Sequence, residues 1–442
     1  MRDIALVALL PLLSYFAFKR PFIAAGLWLW TSAFNINALL YGFASSITYN
    51  RYFAGITILV YFTHKNKPKF SIDKLTALIL FFFFWTTLSS FLSNGYMPVV
   101  WERWTLFMKM ILFYLFSIAI VEKKHHIDYF IWVLILSIGI LSAKEGTKFL
   151  ISGGSHRISA LPGIAGDNNF FALMILVLLP LSFYMVSQVK DKLVKQGLFY
   201  GIVFIILGLI STYSRAGFVG LGILMLFFLK ASKNKMAWIL VLSLVIGLGK
   251  GFMPEEWFNR MDTVENAEED GSFIHRVVVW KMATVVAIRN PFFGEGFKGI
   301  EYNALWQKYA ADFHLLDFIA TPDVNYYEPV RAAHSIYFQV LSDHGFVGLF
   351  LFLLILLSAY LKLGSIKFRA KKQKMDPWVI QLAEMLRISL IVYCVSGGTV
   401  AAAYFDFIFA VLVLIYALDH RIVGEVQDTW HNTNTREEKN RR

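Results

Sequence analysis

Charged residues and cysteine are both scarce in this sequence of 442 residues. Asp, Glu, Lys and Arg make up 16% of the chain, whereas a soluble globular protein has about 25%. Hydrophobic residues make up 57%, which indicates that lipid is the main solvent of the protein. The one cysteine, Cys394, lies inside an apolar run, so an intramolecular disulfide and a cysteine-based metal site are both excluded.

Acidic residues in the arrangement that holds a metal ion are also missing. The chain has no Asp-x-Asp pair, and residues 45–50, which we place in the first outer loop, carry no carboxylate. A metal-assisted glycosyltransferase with an acidic first loop is therefore disfavoured, and we predict neither a metal nor a cofactor.

Long apolar runs fill most of the chain, and a membrane-spanning helix needs about 20 apolar residues. We predict an all-α integral membrane protein with about 12–13 transmembrane helices and a long, partly helical periplasmic loop. The predicted spans are 3–18, 21–44, 51–63, 74–93, 104–121, 127–143, 168–188, 197–212, 214–230, 236–252, 345–362, 385–402 and 404–419.

The formal net charge of +12 comes from Lys and Arg residues in short loops between these runs. The basic clusters lie near residues 65–74, 123–124, 190–195, 230–235 and 367–374. All of them fall on one side of the predicted spans, which marks that side as cytoplasmic. We therefore expect a multi-pass protein of the bacterial inner membrane that does not bind nucleic acid. His125 and His126, beside the second cluster, are expected to be solvated.

The spans and loops divide the chain into four predicted parts. Residues 1–252 form an N-terminal transmembrane bundle, and residues 253–334 form a periplasmic loop with catalytic elements. Residues 335–419 form C-terminal transmembrane helices, and residues 420–442 form a cytoplasmic tail. The loop contains a predicted amphipathic helix over 274–288 and a turn at Asn290 and Pro291. A loop of this length is usually functional or disordered, and its alternating helix and turn signals favour function.

A polar turn over residues 211–217 (STYSRAG) joins two spans on the outer face. Arg215 follows Ser214 there, and a guanidinium among hydroxyls and small residues can offer a fork of donors to a phosphate. The alternative is an interfacial anchor whose side chain reaches the lipid headgroups.

The predicted loop helix carries Arg276 and Trp280, which lie four residues apart and therefore share a face. Its arginine is a second candidate for binding phosphate. The alternative is a surface helix whose arginine pairs with a nearby acid.

His334 and Ser335 stand where the loop meets the next apolar run. Ser335 is a candidate helix cap, and a histidine at the boundary can accept a proton near neutral pH. The alternative is an interfacial histidine without a chemical task. His344, deeper along the same helix, is a weaker candidate. Tyr326 and Tyr327 lie in an aromatic stretch that either stacks on sugar rings or lies in the membrane interface.

Two arginines and one histidine on separate outer-face elements suit a lipid that carries a diphosphate. The arginines Arg215 and Arg276 would hold the diphosphate and stabilise it as it leaves. His334 would take the proton of an attacking hydroxyl. Guanidinium groups would replace a metal ion in this scheme.

These motifs, in this order, resemble the superfamily of O-antigen ligases, O-antigen polymerases and pilin O-oligosaccharyltransferases. The resemblance covers residues from about 160 to 350. Its pieces are residues 166–172 (GDNNFFA), 214–217 (SRAG), Arg276 with Trp280, 290–296 (NPFFGEG), and His334 and Ser335 with Gly345.

The resemblance implies a donor glycan on a polyprenyl (undecaprenyl) diphosphate and a metal-independent reaction that inverts the anomeric carbon. It also implies Arg215 and Arg276 on the diphosphate and His334 as the base. The further residues expected to bind substrate are Asn168, Asn169, Ser214, Trp280, Tyr326, Tyr327 and Ser335.

The opening of the chain, with residues 20–23 (RPFI) and 27–30 (LWLW), is similar to the exosortase-associated O-glycosylation ligases. The usual Asn-Pro-His of that subgroup is replaced here by Asn-Ile-Asn at 35–37.

Three functions stay open at this point. A ligase would move the glycan to a protein or a lipid A core, and a polymerase would extend a lipid-linked glycan. A transporter would place ionisable residues at mid-membrane, for which Lys109 and Asp406 are the clearest candidates.

Overall fold

Helices account for the regular structure of this protein. The computed structural model describes residues 2–34, 36–64, 70–158, 167–231, 271–322 and 331–424, and these residues contain no strand. The α-helices are α1 Arg2–Lys19, α2 Pro21–Ala33, α3 Tyr49–Thr63, α4 Lys74–Phe91, α5 Met97–Ile120, α6 Lys124–Leu134, α7 Ile140–Ile151, α8 Asn168–Gln188, α9 Lys192–Ile210, α10 Arg215–Ala231, α11 Gly271–Arg289, α12 Asn303–Ala310, α13 Ile336–Lys372, α14 Pro377–Gly397 and α15 Asp406–Tyr416.

Seven of the described helical segments are long and apolar enough to cross a membrane. They are α4, α5, α6 with α7, α8, α9, α13 and α14. Their outer faces expose large apolar side chains such as Phe84 (58%), Phe199 (54%) and Phe350 (63%), which only a lipid environment accommodates at this density. The prediction of an all-α integral membrane protein is confirmed.

The bounds of most predicted spans shift in the structure, and three of these differences change the architecture. The span predicted at 21–44 is wrong beyond Ala33, where α2 ends and two 3₁₀ turns follow at Ile36–Leu39 and Gly42–Ser46. Asn37 explains the change, because its Nδ2 donates to the carbonyls of Ser45 (2.8 Å) and Ile47 (2.6 Å) and so holds the chain in a turn.

The other two differences are extensions. α6 and α7 are joined by a π-helical segment, Ile135–Gly139, into one continuous rod from 124 to 151. α13 begins nine residues before the predicted span at 345 and bends at Gly345, whose φ is +69°. The span predicted at 236–252, the acidic stretch before residue 271, and residues 425–442 of the tail lie outside the described residues.

A salt-bridge cluster ties three helices together at one end of the bundle. The Nζ of Lys362 in α13 lies 2.7 Å from Asp73, which precedes α4, and 2.5 Å from Asp419, which follows α15. Asp73, Asp419 and His420 also place potential metal-ligand atoms within 4.8 Å of one another. The cations of Lys362 and Arg369 already pair with these two carboxylates, so the cluster is built as an ion-pair network.

A small layer of helices covers the opposite end of the bundle. α11, α12 and the 3₁₀ turn Phe313–Leu316 share a hydrophobic core that includes Met282, Trp306 and Tyr309. The predicted loop helix and the turn after it are both confirmed, since α11 ends at Arg289. The same core contains Ala333, so this layer leads directly to the start of α13.

Candidate active site

The turn that carries Arg215 is bonded to the start of α8. Ser214 Oγ donates to Asn169 Oδ1 (2.7 Å) and accepts from the backbone N–H of Gly217 (3.0 Å). The Nδ2 of Asn168 donates to the carbonyl of Thr212 (2.8 Å). Arg215 is the first residue of α10 and is half-buried. Three of the residues predicted to bind substrate therefore fix the position of this arginine.

A segment before α8 supports the same turn from its other side. Tyr213, in a left-handed conformation with φ +52°, donates its hydroxyl to the carbonyl of Gly154 (2.9 Å). The N–H of Ile158 donates to the carbonyl of Ser211 (2.9 Å). The turn is thus bonded on both sides, which limits the freedom of Arg215.

Asp167 belongs to the candidate site, and the sequence analysis did not single it out. It caps α8, because its Oδ1 accepts from the backbone N–H groups of Asn169 (3.0 Å) and Phe170 (2.9 Å). Its negative charge also acts on the imidazole of His334. An Asp directly before an apolar helical run is a recognisable cap signal, but nothing in the local sequence shows that it faces a histidine 167 residues later.

Trp280 holds the segment that ends at His334. Its Nε1–H donates to the carbonyl of Ala333 (2.8 Å), and its ring stacks on Phe338 of α13 with centroids 5.1 Å apart and planes 9° apart. Arg276 lies one turn earlier on α11 and is half-buried. The predicted shared face of Arg276 and Trp280 therefore packs beside the start of α13.

Ser335 caps the start of α13, as predicted. It is fully buried, and its Oγ accepts from the backbone N–H of Tyr337 (3.3 Å). His334, one residue before this cap, has a φ of +44°. A residue other than glycine in this region is strained by about 1–3 kcal/mol and is held there only by its surroundings, a pattern that clusters at functional sites.

Burial is the largest influence on the pKa of His334 and lowers it from the usual value of 6.5. The positive charges of Arg276 and Arg331 lower this pKa further, and the carboxylates of Asp167 and Glu301 oppose them. The net effect is a lowered pKa. His334 is therefore neutral at pH 7, and a neutral imidazole can accept a proton from a hydroxyl.

The glycine-rich loop over 290–296 docks against the bend of α13. The N–H groups of Glu295 and Gly296 donate to the carbonyls of Ser342 (3.0 Å) and Asp343 (2.8 Å), and Phe346 N–H donates to Pro291 (2.8 Å). We call these backbone bonds, together with the hydrogen bonds of the Glu295 side chain, the loop clasp. It joins the end of α11 to α13, and these two helices carry Arg276 and the segment of His334.

Glycine is needed on both sides of the loop clasp. A Cβ on Gly345 would lie 2.6 Å from the backbone of Phe292, and one on Gly294 would lie 2.5 Å from the carbonyl oxygen of Ser342. Both glycines also have positive φ, +69° and +63°. The close approach of two backbones explains why these positions of the motif are glycines.

The carboxylate of Glu295 is fully buried in the loop clasp. It accepts from the backbone N–H and the Nδ2 of Asn94 (3.1 Å each), from Asn290 Nδ2 (2.6 Å) and from the hydroxyl of Tyr309. These donors come from the loop between α4 and α5, from the turn after α11, and from α12. One side chain therefore ties the covering layer to the bundle.

His344 is placed away from the other candidates. It is fully buried, its Nδ1 lies 2.9 Å from Ser89 Oγ, and the rings of Phe297 and Tyr404 stand edge-on to it. It belongs to the support of the loop clasp. Tyr326 and Tyr327 lie outside the described residues and stay predictions.

Comparisons with known proteins agree with the motif order. Residues 200–353 match the family model described as O-Antigen ligase, and this range contains Arg215, Arg276 and His334. Residues 1–190 match a family of unknown function, DUF5935, and this range contains Asn168 and Asn169. No curated protein matches the chain. The similarity of the opening to the exosortase-associated ligases stays a prediction.

Proposed function

Because the chain belongs to the O-antigen ligase superfamily, we propose that it is a glycan ligase that uses a polyprenyl diphosphate-linked donor. Members of this family are enzymes of the membrane glycosyltransferase type, and the chain is a multi-pass membrane protein. The acceptor in this proposal is a hydroxyl of a protein or of a lipid A core. The site faces the periplasm of the inner membrane, in agreement with the basic clusters at the other end.

His334 acts as the general base in this reaction. It takes the proton of the acceptor hydroxyl while the oxygen attacks the anomeric carbon of the donor sugar. The bond from that carbon to the diphosphate oxygen breaks, and the polyprenyl diphosphate leaves with the bonding electrons, so the anomeric configuration is inverted. The lowered pKa of His334 supports this role, because the ring is available unprotonated at pH 7.

Arg215 and Arg276 bind the diphosphate and stabilise the negative charge that develops as it leaves. Planar guanidinium groups suit this task because each can make two parallel hydrogen bonds to phosphate oxygens. The bonds that anchor Ser214 to Asn169 support this assignment by fixing one arginine. The positive charge of Arg276 lowers the pKa of His334, so the two side chains are close enough for their charges to interact. This supports the assignment of Arg276 to the diphosphate beside the base.

The observation that carries the proposal is the environment of His334, which is strained, half-buried and under the charges of Asp167 and Arg276. The test is transfer of glycan to its acceptor by membranes that contain the H334A variant. We expect transfer to be abolished while the protein stays at its normal level in the membrane. H314A is the matched control, because His314 is an exposed histidine of the same covering layer and its loss leaves transfer unchanged.

Unchanged glycan attachment in H334A membranes would refute the proposed role. The length of the glycans separates the ligase from a polymerase. Loss of a ligase leaves unattached lipid-linked chains, whereas loss of a polymerase leaves single repeat units attached.

A further inference from the structure

A cavity of about 400 Å³ lies at the end of the bundle opposite to His334. It opens where α1 meets α2, where α3 and α5 end, and where α6 begins. The length of α8 gives the separation between the cavity and His334. Asp167, whose charge acts on His334, caps the start of α8, and the 21 residues of this helix span about 30 Å. Near the far end of α8, Tyr184 donates to Asp128 of α6 (3.1 Å). The cavity is therefore distinct from the candidate active site.

Basic side chains dominate the wall of this cavity. Three basic side chains line it, Lys19, Arg20 and Lys123, and Glu122 is the one carboxylate among the described residues that line it. The imidazoles of His64, His125 and His126 add further donors. A cavity of this size lies within the range of about 300–1,000 Å³ that is usual for small-molecule sites. Its charge selects an anion.

The histidine pair is built into the wall. The ring of His126 stacks on Phe22 with centroids 4.2 Å apart, and His125 stands edge-on to the same ring at 5.4 Å. His126 Nδ1 also accepts from the N–H of Glu122 (3.2 Å). The prediction that both histidines are solvated is wrong for His126, which is 9% exposed, because the start of α6 packs onto α2.

Exposed apolar side chains lie next to lining residues of the cavity, near the ends of α1 and α3. Tyr15 and Phe18 near the end of α1 are 56% and 51% exposed, and Phe62 near the end of α3 is 62% exposed. The basic wall thus begins where the lipid-facing surface ends. An anion that carries acyl chains fits this boundary, since its chains lie along the apolar belt while its phosphate meets the cations.

From this arrangement we propose that the cavity binds a phosphate ester, namely the headgroup of an anionic phospholipid. The guanidinium of Arg20 and the two ammonium groups pair with the phosphate oxygens, and the imidazoles donate hydrogen bonds. Surface lysines in loops attract such lipids in a diffuse way. The cavity differs from them because its three exposed cations line one volume together with the rings of Phe22 and His126.

The test measures binding of phosphatidylglycerol, phosphatidylcholine and inorganic phosphate to the purified full-length protein in detergent. Thermal unfolding is followed at increasing concentration of each probe. The cavity variant is K19Q/R20Q/K123Q. The matched control is K190Q/K192Q/K195Q, which removes the same charge from exposed lysines that do not line the cavity.

We expect phosphatidylglycerol to bind the wild type and the control equally and to bind the cavity variant about 100-fold more weakly, roughly fivefold for each lost cation. Phosphatidylcholine should bind all three weakly. If inorganic phosphate binds the wild type as well as the lipid does, and only the cavity variant loses it, the phosphate site stands and its source is a soluble ester.

Equal affinity of phosphatidylglycerol for the cavity variant and the control would overturn the proposal. Equal affinity of the wild type for phosphatidylglycerol and phosphatidylcholine would overturn it as well. A charge-retaining variant, K19R/R20K/K123R, guards against loss of fold. It should bind phosphatidylglycerol within about threefold of the wild type because every position keeps its positive charge, whereas a site that depends only on packing would lose the lipid in both cavity variants.

Discussion

Replacing Trp280 with Phe removes one hydrogen bond and leaves a ring in place. The indole N–H donates to the carbonyl of Ala333 at 2.8 Å, and Ala333 is only 3% exposed. A phenyl ring keeps the stacking on Phe338 but leaves that carbonyl without its donor. A buried acceptor that loses its partner costs about 1–3 kcal/mol.

The carbonyl that loses its hydrogen bond belongs to Ala333, the residue directly before His334. His334 is held at a φ of +44°, which itself stores about 1–3 kcal/mol, so the lost bond is comparable with the strain that it opposes. We expect the segment to relax and glycan transfer to fall about 5- to 150-fold. The W280A variant also loses the stacking on Phe338 and should fall further.

The assay is transfer of glycan from the polyprenyl diphosphate donor in reconstituted vesicles, with kcat and the KM for the donor measured separately. The fall should appear in kcat, because the substitution displaces the proposed base, His334, and leaves the proposed donor ligands, Arg215 and Arg276, in place. Transfer by W280F within twofold of the wild type, at equal protein level, would refute the positioning role. An increased KM with unchanged kcat would indicate instead that Trp280 binds substrate.

Three further perturbations follow from the site and its support. R331Q removes a positive charge that lowers the pKa of His334, so this pKa should rise and transfer should be lost at a higher pH as the pH falls. A pH–rate profile that does not move, or moves to lower pH, would contradict this. G345A should lower the free energy of unfolding by roughly 3 kcal/mol, because it adds left-handed strain and a contact at 2.6 Å. The control is G364A, because a Cβ on Gly364 of α13 would meet nothing within 4 Å, and it should change stability by less than about 1 kcal/mol. Equal thermal shifts of both variants would contradict the close packing at the loop clasp. E295Q should destabilise by about 1–3 kcal/mol, because its amide N–H group faces donors, and an unchanged unfolding temperature would count against the buried carboxylate.

Features set by neighbouring residues were predictable from the sequence. The sequence predicts the amphipathic helix before Asn290, its end to within one residue (288 predicted, Arg289 observed) and the cap at Ser335, because period, turn residues and caps are local signals. The order of the motifs likewise led to the superfamily that residues 200–353 match.

Features set by distant contacts were not predictable. Asn94 and Glu295 are 201 residues apart in the chain, so no local pattern shows that one completes the hydrogen bonds of the other. The sequence identifies Asp167 as a helix cap, but its effect on the pKa of His334 depends on how α8 and α13 pack together. The burial of His126 follows from the packing of α6 on α2, which hydropathy alone does not specify.

The loop clasp also has a consequence for the order in which the protein is made. Glu295 leaves the ribosome long after Asn94, but before Ser342 and Asp343, to whose carbonyls the loop bonds. The covering layer therefore lacks the carbonyl acceptors of Ser342 and Asp343 until α13 has been synthesised. Nascent chains that stop short of α13 carry Arg215 and Arg276 but lack the loop clasp, so under the proposed mechanism we expect them not to use the donor.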